Sequence, residues 1–169
     1  MVSKGLKIPV YGGSTPSRAT LFLAAVAALL VGCAASPASR VLAVDAAFTV
    51  EERAALERCV ARWDAVAPES GLALDFDAPV GDTSSIVKRG GGNMGDTIIK
   101  RAHVTLHPNL TERGVFESVA CHELGHVLGL DHVEELAVMN PGPMWEVELS
   151  AADVGECVRV GACSGTVRP

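Results

Sequence analysis

The chain has 169 residues, with 20 acidic side chains against 14 Lys and Arg and 5 His, for a formal net charge of −6. That length suits one folded domain once any leader is removed. The acidic balance argues against a nucleic-acid partner, which calls for a basic face.

Residues 1–32 hold Lys4, Lys7 and Arg18 and no acid, and residues 21–31 are wholly apolar. A basic segment followed by a short apolar core reads as an export signal. A membrane-spanning helix would need about 20 apolar residues. The end of the segment, Leu30-Val31-Gly32-Cys33, resembles a bacterial lipobox. That resemblance implies that Cys33 becomes the lipidated first residue of a protein anchored in the cell envelope, outside the cytoplasm. Ordinary cleavage nearby, for instance after Ala38, would instead give a secreted protein. The expected division is a lipoprotein-type signal peptide at 1–32, a small-residue tether at 33–39, and one domain at 40–169. Removing 1–32 leaves 11 basic and 20 acidic side chains, a net charge of −9.

Along the domain, Arg40–Val44 is a candidate first strand. Thr49-Val50-Glu51-Glu52 has the form of a capping box, and the apolar spacing of Leu56, Cys59, Val60 and Trp63 predicts a helix ended near Pro68 and Gly71. Leu72, Leu74 and Phe76 alternate with Ala73, Asp75 and Asp77, the period of a half-buried strand. Residues 85–89 and 97–101 are weaker strand candidates, separated by the turn-rich 90–96. Residues 103–107 form the next strand, closed by Pro108. Thr111 is expected to cap a long helix carrying Val115, Val119, His122 and His126. Setting Cys33 aside leaves Cys59, Cys121, Cys157 and Cys163, an even number in an exported chain and so a sign of two disulfides. The helical faces of Cys59 and Cys121 both point to the core. They permit a Cys59–Cys121 pair with Cys157–Cys163 as a local clasp, though all three connectivities stay open.

The most specific stretch is His122-Glu123-Leu124-Gly125-His126-Val127-Leu128-Gly129-Leu130-Asp131-His132. Residues four apart lie on one helical face, so His122 and His126 can present two imidazole nitrogens to one metal ion. Glu123 is about 100° around the helix, near a metal-held water without being a ligand. Gly129 offers the left-handed turn that lets His132 return as third ligand. Three protein ligands leave one position open on zinc, which is the catalytic arrangement.

This pattern, followed by Met139 within Val138-Met139-Asn140-Pro141, resembles that of the metzincin zinc peptidases. The third ligand and Leu149-Ser150-Ala151-Ala152-Asp153-Val154 resemble the matrixin branch, with Ser150 as helix N-cap and Asp153 in the first turn. The resemblance covers roughly residues 40–158. It implies an α+β, zincin-like fold: a twisted mixed sheet with two long helices, then a small C-terminal subdomain holding the Met-turn and a final helix. It also implies a sheet edge that binds substrate as an added antiparallel strand, for which Thr97–Lys100 is the candidate.

The function so implied is a zinc-dependent metalloendopeptidase holding one Zn²⁺ through His122, His126 and His132. A zinc-bound water has its pKa lowered towards about 7, and Glu123 serves as general base and later as proton donor to the leaving amine. Gly129 and Met139 are structural, the latter as an apolar floor under the histidines. The expected partner is a peptide or protein substrate, with no nucleic acid, a membrane only through lipidated Cys33, and a monomeric state. Two departures from the family stand out. Tyr11 is the chain's single tyrosine, so Asn140 stands where several metzincin groups have a tyrosine. No cysteine-bearing pro-segment lies between Cys33 and the domain, so a cysteine switch is not expected. His103, His107 and Asp96 lack the matrixin pattern for a second metal and read as ordinary exposed side chains. Trp145 either lines the specificity pocket or closes the core. The alternative function is a catalytically silent zinc-binding envelope lipoprotein, which the intact Glu123 disfavours. A structural lipoprotein with an accidental motif is a third.

Overall fold

A computed structural model describes residues 40–90, 93–142 and 146–163, all of which fall within the unit Pro37–Pro169. Cys33, the leader, the tether and Trp145 lie outside the described residues. Five strands form one sheet: β1 (Arg40–Val44), β2 (Leu72–Asp75), β3 (Ser85–Lys88), β4 (Gly95–Ile98) and β5 (His103–Leu106), in the order β2-β1-β3-β5-β4. Three of the four pairings are parallel, and β4 runs antiparallel to β5, with Gly95 opposite Leu106 and Ile98 opposite His103. The helices are α1 (Val50–Val66), α2 (Phe116–Leu128) and α3 (Ala151–Arg159). This is the mixed α+β architecture the resemblance implied.

Helix α1 starts where its capping box predicts. The Thr49 hydroxyl accepts from the Glu52 N–H at 3.3 Å, and the Glu52 carboxylate accepts from the Thr49 N–H at 2.9 Å. Its inner face buries Leu56, Cys59 and Trp63 completely. The Trp63 indole donates to the Cys121 carbonyl at 2.9 Å, so the largest core side chain also finds its polar partner. Both disulfides take the pairing that the helical faces permitted: Cys59–Cys121 joins α1 to α2 across 62 residues, and Cys157–Cys163 clasps the end of α3.

Two expectations need correction. Thr111 does not cap the active helix. It follows a 3-10 turn at Pro108–Leu110, and its hydroxyl donates to Glu52 Oε1 at 2.6 Å. Gly114 at φ 69° then turns the chain, and α2 begins at Phe116 with Val115 as a cap without a side-chain bond. The second correction concerns the strand expected over 97–101. The strand is Gly95–Ile98, because the antiparallel return to His103 needs a reversal at once. Ile99–Arg101 supplies it as a 3-10 turn closed by Ala102 at φ 48°. No glycine or proline announces that turn.

Candidate metal centre

The histidine run folds as its spacing predicts and is held from outside by backbone carbonyls. His122 and His126 sit one turn apart on α2. Gly129 at φ 94° ends the helix, and the Leu130 N–H returns to the Gly125 carbonyl at 3.1 Å. That turn brings His132 back over α2. The three Nε2 atoms lie 3.1 to 3.2 Å from one another. Among the described residues this is the group of His, Cys, Asp and Glu able to hold a metal ion.

The donor set fits zinc on two grounds. His122 Nδ1 donates to the Val138 carbonyl and His126 Nδ1 to the Leu130 carbonyl, each at 2.8 Å. With their protons spent there, both Nε2 atoms carry lone pairs, and lone pairs 3.1 Å apart repel unless a cation lies between them. Tetrahedral Zn–N bonds of about 2.05 Å place ligand nitrogens about 3.3 Å apart, close to the spacing seen. Burial, reinforced by its histidine neighbours, depresses His122 to about 4, so at neutral pH its imidazole is uncharged as a ligand must be. Burial and His126 likewise lower His132.

Glu123 lies beside this group and is only 4% exposed. Burial pushes its carboxyl up to about 7, a bond from Thr97 opposes the rise, and the negative charge of Asp96 adds to it. The Thr97 hydroxyl donates to Glu123 Oε2 at 2.5 Å. The three histidines and Glu123 line an open cleft of about 580 Å³, together with Asp96, Thr97, Ile99 and Pro141.

Met139 is fully buried under the helix, its Sδ against Gly125 and close to Trp63. Its backbone is pinned by Asp153, a carboxylate with no solvent exposure. Asp153 accepts from the N–H groups of Met139 at 2.8 Å, Val138 at 3.1 Å and Ser150 at 2.7 Å. The capping box of α3 thereby fixes Val138, whose carbonyl orients His122. Asn140, in the tyrosine's place, ties its loop together instead: Nδ2 donates to the carbonyls of Glu134 and Glu135, and Oδ1 accepts from Gly142. The third ligand's loop is braced as well, since Arg159 bridges Asp131 and Glu156 and the Asp131 N–H donates to Glu156.

Sequence reasoning placed the three histidines, Glu123, Gly129 and Met139 together, and the fold does bring them together. His103 instead bonds Ser85, and His107 accepts from the Asn109 N–H. The sequence reading missed Thr97 as a partner of Glu123, and it missed Gly95 and Gly125 as points of close approach. A Cβ on Gly95 would meet Glu123 Oε1 at 2.4 Å, and one on Gly125 would meet Met139 Sδ at 2.3 Å. The available signal was the two-residue step from Gly95 to Thr97, which sets both on one strand face.

A mixed sheet with three histidines from a helix and its following turn, above a buried methionine, defines a metallopeptidase of the metzincin type. The matrixin family model matches residues 44–156, and the chain belongs to the matrixin family. No curated protein matches the chain at a significant level.

Proposed function

We propose that the chain is a zinc metalloendopeptidase that hydrolyses internal peptide bonds, with His122, His126 and His132 as ligands of one ion and Glu123 as general base. The observation that carries this is the convergence of three Nε2 atoms within 3.2 Å of one another beside a buried carboxylate in an open cleft. Zinc held there would polarise the scissile carbonyl and acidify a water. Glu123 would take that water's proton and hand it to the leaving amine, its buried carboxyl lying beside the three histidines in the same cleft. The free edge of β4 lies along the same cleft and can add a peptide as a further strand, binding main chain whatever the sequence.

The test is Glu123→Gln in purified protein. Zinc content should stay at one equivalent while hydrolysis of a peptide library falls by about 10²-fold or more. A variant that cleaves as fast as the parent removes Glu123 from the mechanism. Less than about half an equivalent of zinc in the parent removes the metal site.

We further propose that the domain at 40–169 follows a signal peptide at 1–32 and a tether at 33–39, and works outside the cytoplasm on a lipid anchor at Cys33. The leader composition and the lipobox-like Leu30–Cys33 stretch support that reading. Among the described residues no helix is long and apolar enough to cross a membrane.

A further inference from the structure

The edge strand does more than offer main-chain bonds to a peptide. Gly95 and Thr97 are alternate residues of β4, so both look to the same side of the sheet, and both meet Glu123. Gly95 makes room: its missing Cβ leaves the space that Glu123 Oε1, Cγ and Cδ occupy. Thr97 makes the grip. Its hydroxyl lies 2.5 Å from Glu123 Oε2 and 3.3 Å from the Glu123 carbonyl, and its single proton goes to the nearer oxygen. A hydrogen bond to a carboxylate in a buried setting is among the stronger kinds.

We propose that Thr97 is a positioning residue: its hydroxyl holds the Glu123 carboxylate in one orientation and ties it to the strand on which the peptide docks. The inference rests on the peptidase reading and deepens it. A general base works only within hydrogen-bond reach of the proton it takes, and misplacement by about 1 Å can cost about 10²-fold in rate. In this arrangement the base, carried on α2, and the docked backbone are both held to β4, so their offset is set by that strand. Oε1 stays free of Thr97 and faces the gap left by Gly95.

The test compares Thr97→Val, which keeps the shape and loses the hydroxyl, with Thr97→Ser, which keeps the hydroxyl. In zinc-loaded protein Thr97→Val should lower kcat by about ten- to a hundredfold with KM within about twofold, and Thr97→Ser should recover to within about threefold. A merely structural threonine would shift stability and leave kcat alone. A kcat within about threefold of the parent in Thr97→Val overturns the proposal, as does a serine variant no better than valine, or a loss carried by KM. Crystal structures of the parent and Thr97→Val read the same point without turnover. A Glu123 carboxylate that leaves its place, or splits into two orientations, supports the proposal; one that stays in the parent's position overturns it. A parent with no peptidase activity would count against the peptidase reading alone, and the crystal structures would still decide the role of Thr97.

Discussion

Gly125 lies between two of the histidines, and its missing side chain decides how near Met139 can come. A Cβ there would stand 2.3 Å from Met139 Sδ and 2.9 Å from Trp63 Cζ2, both buried side chains. Gly125→Ala should therefore cost about 1–3 kcal/mol through overpacking and weaken zinc retention, because the strain falls on the turn that carries His122 and His126. Adding Met139→Ala should recover part of the loss. Thermal melts and zinc content of the single and double variants check this, and a single variant as stable as the parent would show that the floor has slack. The histidine spacing was legible because a helix repeats within four residues. The close approach of Met139 was not, since it joins residues 14 apart in sequence through a turn that no short period describes.

Glu52 shows how one carboxylate binds several elements. Lys88 at the end of β3 donates to it at 2.8 Å, Thr111 donates from the loop before α2, and the Thr49 N–H closes the cap of α1. Burial by itself would raise its pKa, but these bonds hold the carboxyl below the usual carboxylate range. A carboxyl lowered in the folded state stabilises the fold above its ordinary pKa of 4.5, and that stability is lost as the pH falls through the lowered value. Glu52→Gln should thus cost about 2–4 kcal/mol at neutral pH, where it leaves Lys88 without its charge partner. The gap from the parent should close in acid. Urea melts at neutral and strongly acid pH test this; a gap that stays constant would mean the charge contributes nothing. At this scale the caps at Thr49 and Ser150 were readable, because a capping box is written in four consecutive residues. Thr111 had the right chemistry for a cap, but the buried carboxylate of Glu52, 59 residues away, takes its hydroxyl. The limits of β4 were equally hidden, set by its register on β5.

For the molecule as a whole, an acidic domain with two disulfides suits an oxidising compartment, in keeping with the export signal we propose at 1–32. If Cys33 carries a lipid, Cys33→Ser should move the protein from the membrane to the soluble fraction of the cells that express it. An unchanged membrane fraction would dispose of the anchor. The sequence alone determined what short-range repetition can encode: the metal-ligand spacing, the glycine stop, the two capping boxes and the alternation of β2. The tertiary structure decided what depends on strand order and on pairs far apart in the chain. It chose among three cysteine pairings, set β4 at the edge beside Glu123, laid the Asp153 carboxylate under the Met-turn and aimed the Thr97 hydroxyl at the Glu123 carboxylate. The physical reason is range: helix and strand periods act over a few residues, whereas the bond from Thr97 to Glu123 spans 26 residues and exists only once the sheet has closed over α2.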